Sequence, residues 1–142
     1  MIGDGPEAVR LRELSRTLGT DDAVTFTGRL ERSAMAELYK SADAFILASR
    51  SETFGVVLIE ALSAGLPVIA ARSGGPEDYV NDSNGLLVPT DDIAALTDAM
   101  ERMVRPESRY DRAALAASAR DRFSPGAVAG ALTALYGELA EC

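Results

Sequence analysis

Short apolar runs alternate along this chain with segments whose apolar residues have helical spacing. The runs predict strands at residues 23–27, 44–48, 67–71 and 85–88. The second and third runs are apolar throughout, which is typical of strands that helices cover on both faces. Strands that alternate with helices form parallel sheets, because each parallel connection needs a crossover. The sequence therefore predicts an α/β fold with a doubly wound, Rossmann-like parallel sheet.

Helical segments fill the intervals between these strands. Asp91 or Asp92 is the predicted N-cap of one helix, whose apolar face is formed by Ile93, Leu96 and Met100. The other predicted helices lie at residues 6–18, 34–40, 56–64, 109–122 and 127–139.

The composition of the chain excludes several classes of function. The chain is long enough for one domain, residues 1–142, and no interdomain linker is visible. A net charge of −8 opposes binding to nucleic acid. The absence of histidine excludes histidine-based acid/base catalysis and histidine-ligated metal sites. The single cysteine, Cys142, cannot form an internal disulfide, and no membrane-spanning run or signal peptide is visible, so a cytoplasmic location is expected.

One strand-to-helix loop carries polar residues that point to a ligand. Glu52 precedes the predicted helix at 56–64, and Glu60 lies about one and a half turns into it. Phe54 and Gly55 fall at the first turn, where free backbone N–H groups and the helix dipole favour a phosphate. Ligands of open α/β sheets bind at the carboxyl ends of strands, where this loop is expected. Both carboxylates can therefore border one cleft, and a carboxylate suits the paired hydroxyls of a sugar.

Two glutamates eight residues apart also have a simpler interpretation. Glu52 could cap the helix electrostatically, and Glu60 could be an exposed helix residue, as most surface carboxylates are. Residues 57–59 and 61–62 are all apolar, however. An isolated carboxylate in such surroundings needs a partner or a ligand, which favours a site.

Residues 49–70 strongly resemble the E-x7-E signature of family 4 retaining glycosyltransferases, the glycosyl transferase group 1 enzymes. The signature residues are Glu52-Thr53-Phe54-Gly55, Glu60-Ala61-Leu62 and Ala64-Gly65-Leu66-Pro67-Val68-Ile69-Ala70. Further blocks appear in the family's order and spacing: Gly3-Asp4-Gly5-Pro6, Val24-Thr25-Phe26-Thr27-Gly28, Ser41-Ala42-Asp43-Ala44, Gly74-Gly75-Pro76-Glu77 and Asn84-Gly85-Leu86-Leu87-Val88-Pro89. The resemblance covers residues 1–141 and implies the C-terminal, donor-binding half of the GT-B fold.

The resemblance also implies a role for each matching residue. Glu60 would bind the ribose hydroxyls of the nucleotide, and Glu52 would contact the transferred sugar. Backbone N–H groups of the intervening turn would meet the diphosphate or the sugar: Thr53, Phe54, Gly55 and Val56. Arg29 and Leu30 would contact the base. Gly74 and Gly75 would border the cleft. A plain turn explains the paired glycines equally well.

The implied reaction transfers a hexosyl group from a nucleotide diphosphate sugar to an acceptor hydroxyl with retention at the anomeric carbon. The donor would be UDP- or GDP-linked, and the acceptor a glycan, a lipid or a small molecule. Neither a metal ion nor another cofactor is expected. A peripheral position at the inner membrane face stays open for the full-length enzyme. Two other functions stay open, namely a non-catalytic nucleotide-binding or protein-interaction module and a GT-B sugar-nucleotide epimerase fragment.

The chain departs from the family at its start. The arginine and lysine that neutralise the pyrophosphate in the family belong to a unit that would precede Met1, as does the acceptor-binding domain. The chain is therefore expected to be N-terminally truncated, to lack its first strand-helix unit and to be inactive alone. The open sheet edge is expected to pair with the missing N-terminal domain or to self-associate. Arg29 and Arg50 are the only cations that the sequence places near the loops.

Overall fold

The computed structural model describes residues 1–105 and 110–140. The chain divides into two compact units, Met1–Leu38 and Tyr39–Cys142. Helix α1 (Ala8–Thr17) lies in the first unit, and helix α2 (Arg32–Ser41) spans the boundary between the units. Both helices were predicted from the sequence and are confirmed.

The predicted strand at residues 23–27 is wrong. The structure assigns no strand to these residues, and the pairing next to them is an isolated bridge between Gly3 and Gly28. The Thr27 N–H donates to the Met1 carbonyl at 3.0 Å, and the Gly3 N–H donates to the Gly28 carbonyl at 2.8 Å. A strand needs a longer ladder of repeated hydrogen bonds, which these few contacts do not provide.

The second unit contains a three-stranded parallel sheet in the order β1 (Phe45–Leu47), β2 (Val68–Ala71) and β3 (Gly85–Val88). Phe45 pairs with Val68, and Val68 pairs with Gly85. All four residues of β2 are buried, and a neighbouring strand lies on each side of it. The predicted α/β class with a parallel sheet is confirmed.

Strand β1 was predicted to be buried, and this is wrong. Ile46 is 39% exposed, and its two neighbours in the strand are half-buried. β1 lies at the edge of the described sheet, where only β2 pairs with it. A continuous apolar run therefore does not guarantee burial, because burial also depends on the strand's position in the sheet.

Four helices complete the second unit: α3 (Val56–Ser63), α4 (Ile93–Met103), α5 (Arg112–Phe123) and α6 (Pro125–Ala140). They confirm the predicted helices, although residue 109, where one prediction began, lies outside the described residues. Asp92 rather than Asp91 caps α4, since its Oδ1 accepts the Ala95 N–H at 2.9 Å. A short 3-10 helix, Gly75–Asp78, lies between β2 and β3.

Helices cover both faces of the sheet. Ile69 and Val88 pack against Ala99 of α4, while Val68 and Ala70 point to the opposite face, because side chains alternate along a strand. Both of these are fully buried, and α3 contacts β1 and β2. The core thus lies on either side of β2.

The predicted apolar face of α4 is partly wrong. Ile93 is 81% exposed, and Met100 is also exposed. The helix instead packs through Leu96, Ala99 and Met103, with Ala95 beside them. Alanine lets a helix approach a sheet closely, so the small residues of α4 contribute to the packed face as much as the large ones.

Helix α6 differs from the others because none of its residues is buried. Five of its large apolar side chains are exposed: Val128, Leu132, Leu135, Tyr136 and Leu139. None of the helices in the described residues combines the length and the apolar character that a bilayer crossing requires.

Candidate functional site

The candidate site is the loop between β1 and α3, at the carboxyl end of the sheet. Glu52 lies on this loop, and Glu60 lies within α3. Both glutamates are half-buried. The structure therefore places the two carboxylates on the consecutive elements that the sequence predicted.

The backbone of Glu52 joins this loop to the loop that follows β2. The Glu52 N–H donates to the Ser73 carbonyl at 2.9 Å, and the Gly75 N–H donates to the Glu52 carbonyl at 2.9 Å. Glu52 and Gly74 thereby form an isolated parallel bridge beyond the ends of β1 and β2. Two predicted site segments, residues 52–55 and 74–75, are thus brought together.

The close approach of these two loops requires glycine. A Cβ added to Gly75 would lie 2.3 Å from the Thr53 carbonyl oxygen and 2.5 Å from Phe54 Cα. A Cβ added to Gly74, whose φ is 109°, would lie 3.0 Å from the Glu52 carbonyl oxygen. Because the opposing atoms belong to the backbone, no side-chain rotation can relieve these contacts.

Glu52 also holds the start of α3 through its side chain. Its Oε1 accepts the Gly55 N–H at 3.2 Å. Gly55 is the N-cap of α3 and has a left-handed backbone, with φ 75° and ψ 50°. Glu52 therefore bonds to the N-cap residue itself, while no side chain of the described residues caps the first turn of α3. A carboxylate has several acceptor positions, so this bond leaves Glu52 capacity for a ligand.

Glu60 contacts a buried tyrosine of α2. The Tyr39 hydroxyl lies 3.5 Å from Glu60 Oε2 and 3.4 Å from the Val57 carbonyl oxygen. Burial and the negative charge of Glu60 raise the pKa of Tyr39 to about 12. Tyr39 therefore stays neutral at physiological pH and can donate to the carboxylate.

Tyr79 is a residue that no motif in the sequence predicted. Its hydroxyl lies 2.7 Å from the Phe54 carbonyl oxygen and 3.0 Å from the Gly55 carbonyl oxygen. Burial and the nearby Glu52 raise the pKa of Tyr79 to about 12. No periodic pattern could identify it, because its partners lie 24 and 25 residues earlier in the chain.

The cations near the strand ends are paired with acids. Arg50 Nε lies 2.8 Å from Asp91 Oδ1, in an exposed ion pair. Arg72 follows β2 directly and lies 3.3 Å from Glu77 Oε2. Sequence reasoning overlooked Arg72, although its position after a predicted strand was a usable signal.

The remaining predicted site residues lie at the start of α3 or in the first compact unit. Val56 is the first residue of α3 and is exposed, as is Phe54. Arg29 and Leu30 lie in the first compact unit, ahead of α2.

Comparisons with known proteins agree on one family. The model of the family described as glycosyl transferases group 1 matches residues 1–122. D-inositol 3-phosphate glycosyltransferase from Mycobacteroides abscessus is 39% identical over 133 residues, which cover 92% of this chain and 30% of that protein. The chain thus spans about a third of the length of the curated relatives that it matches.

Solved structures show the same fold. Sucrose-phosphate synthase from Thermosynechococcus elongatus superposes with a TM-score of 0.80 at 31% identity, over 99% of this chain and 38% of that one. Anabaena HepE in complex with UDP gives a TM-score of 0.78 at 27% identity, over 99% of this chain and 40% of that one. The fold, the matched family model and the curated relative agree, and the chain belongs to the glycosyl transferases group 1 family.

Proposed function

We propose that this chain supplies the donor-binding part of a family 4 retaining glycosyltransferase. The donor is a nucleotide diphosphate sugar, linked to UDP or GDP, and the transferred group is a hexosyl residue. The acceptor is a hydroxyl of a glycan, a lipid or a small molecule that a partner domain presents. HepE, which shares this fold, has been solved with UDP and with UDP-glucose, and this supports a nucleotide sugar as the ligand.

The observation that carries the proposal is the convergence of two loops and one helix start at the carboxyl end of the sheet. The carbonyl and N–H of Glu52 bond to the loop after β2, and the carboxylate of Glu52 bonds to Gly55 at the N-cap of α3. An acidic side chain and the free N–H groups of a helix start therefore lie within one turn of chain. This combination matches a sugar on one side and a diphosphate on the other.

Each predicted site residue keeps a role in this proposal. Glu60 binds the ribose hydroxyls, and Glu52 contacts the transferred sugar. The N–H groups of the turn before α3 bind the diphosphate oxygens. Arg29 and Leu30 contact the base, and the paired glycines after β2 allow the donor to approach the backbone.

The proposed chemistry relies on position and charge. Retaining transfer builds positive charge at the anomeric carbon and negative charge on the departing diphosphate. Glu52 would face the positive charge at the anomeric carbon, and the dipole of α3 would face the negative charge of the diphosphate. No metal ion takes part in this proposal, so a chelator should leave donor binding unchanged.

Donor binding by the chain tests the proposal directly. Calorimetry and saturation-transfer NMR with UDP-glucose and GDP-mannose should detect binding, and the Glu60→Gln variant should weaken it about tenfold or more, since it removes a charged acceptor. Glu101→Gln is the matched control, because Glu101 is an exposed helix residue of α4. Equal affinity in the two variants, or no binding by the wild-type chain, would contradict the proposed function.

A further inference from the structure

Tyr79 connects two parts of the proposed donor site. It follows the 3-10 helix Gly75–Asp78 and is only 3% exposed. Its hydroxyl lies within 3.0 Å of both the Phe54 and the Gly55 carbonyl oxygens. These two carbonyls form the turn that leads into α3, so one buried hydroxyl contacts the backbone at the start of the helix.

Fixing a carbonyl also fixes the N–H group of the same peptide. The peptide unit is planar and trans, so its N–H points away from its carbonyl. The Phe54 carbonyl shares a peptide with the Gly55 N–H, which donates to Glu52 Oε1. The Gly55 carbonyl shares a peptide with the Val56 N–H, the first N–H of α3. The tyrosine hydroxyl thus contacts the peptide that carries the partner of the Glu52 carboxylate and, together with the Leu58 N–H at 2.9 Å, the peptide that carries the first amide of the helix.

Tyr79 is itself held firmly. Its ring packs against Phe54 and Phe123, with centroids 5.7 Å and 5.4 Å away. Its carbonyl accepts the Asn84 side-chain N–H at 2.9 Å. Packing and hydrogen bonds of this kind fix a side chain in one rotamer, as a group that positions others requires.

We propose that Tyr79 is a positioning residue for donor binding, because its hydroxyl sets the peptide planes of Gly55 and Val56. The inference rests on the proposed function, since these planes aim the amides at a diphosphate and hold the Glu52 carboxylate toward the sugar. Burial and the nearby Glu52 raise the pKa of Tyr79 to about 12, so the hydroxyl is protonated at neutral pH.

The Tyr79→Phe variant tests this role, because it removes the hydroxyl and keeps the ring. UDP-glucose should bind about fivefold to tenfold more weakly, as expected for the loss of one neutral hydrogen bond. In ¹H–¹⁵N NMR spectra without ligand, the Gly55 and Val56 amide signals should shift. Tyr110→Phe is the matched control, because Tyr110 is a half-buried tyrosine of the segment before α5 and should affect neither measurement.

A purely structural role would give a different pattern. It would lower the melting temperature of Tyr79→Phe, but donor affinity measured well below that temperature would equal that of the wild type, and this result would overturn the inference. If Tyr79→Phe does not fold, Phe123→Leu loosens the packing of Tyr79 and keeps the hydroxyl. That variant should lose affinity by about twofold to threefold, and unchanged affinity would also overturn the inference.

The two proposals fail in distinguishable ways. If Glu60→Gln weakens binding and Tyr79→Phe does not, the donor site stands and the positioning role is wrong. If the wild-type chain binds neither UDP-glucose nor GDP-mannose, the proposed function is wrong and the inference fails with it.

Discussion

Replacing Gly55 by alanine should damage this protein in two ways that can be separated. Gly55 has φ 75°, in the left-handed region that residues with a Cβ rarely adopt. An added Cβ would also lie 2.8 Å from the Tyr79 hydroxyl and 3.1 Å from Leu58 Cδ1. Both neighbours are buried, so neither can move aside freely.

The two effects have comparable sizes. A left-handed backbone costs a residue with a Cβ about 1–2 kcal/mol. Overpacking by one methyl group in a dense interior costs about 1–3 kcal/mol. Gly55→Ala should therefore lower the free energy of unfolding by about 2–5 kcal/mol, a large part of the roughly 5–15 kcal/mol that is typical of a domain.

Gly19→Ala provides the matched control. Gly19 also has a left-handed backbone, with φ 65°, but no atom lies within 4 Å of the position that its Cβ would occupy. It should show the backbone cost of about 1–2 kcal/mol and nothing more. The difference between the two variants measures the steric contact with Tyr79 and Leu58.

Urea unfolding followed by circular dichroism would measure these free energies. Adding Tyr79→Phe to Gly55→Ala removes the nearest clashing atom, so the double variant should be about 1 kcal/mol more stable than the sum of the single effects predicts. Gly55→Ala and Gly19→Ala of equal stability, with additive effects in the double variant, would refute the steric reasoning.

Three further predictions concern other parts of the chain. Asp92→Ala should cost about 1 kcal/mol in urea unfolding, because α4 loses its side-chain N-cap. Gly130→Ala in α6 should raise the free energy of unfolding by up to about 1 kcal/mol, since alanine favours a helix and its Cβ meets no atom within 4 Å. The pKa values of Tyr39 and Tyr79 are raised from 10.0 to about 12, so their contribution to stability is complete below pH 10 and disappears as the pH rises toward 12. Urea unfolding between pH 9 and pH 12 should show this loss, and Tyr79→Phe should reduce it.

The sequence predicted most of the secondary structure because local signals decide it. The helix at 56–64 and the strand at 67–71 were correct within one residue at each end. Asp92 was one of two predicted caps, and its side chain makes the expected bond. Each of these features depends on residues within a few positions of one another.

The wrong predictions concern features that depend on residues far apart in the sequence. Residues 23–27 have the composition of a strand, but they bond only to Met1 among the described hydrogen bonds to the chain's first residues, and the isolated bridge to Gly3 is formed by Gly28 beyond them. Ile46 is exposed because of the place of β1 in the sheet, which no property of the run itself reveals. A hydrophobic pattern shows which side chains of a strand or helix can be buried. It does not show which other elements will pack against them.

The candidate site also combines features that the sequence predicted with features that depend on distant residues. The spacing of Glu52 and Glu60 was visible in the sequence, but the shape of the loop that carries Glu52 depends on residues more than 20 positions later. Gly75 bonds to the Glu52 backbone, and Tyr79 bonds to the turn before α3. If residues 49–62 were transferred alone to another α/β protein, both glutamates would be present, yet the peptide planes between them would lack these partners. Donor binding in such a graft should therefore appear only when residues 72–79 are transferred with it.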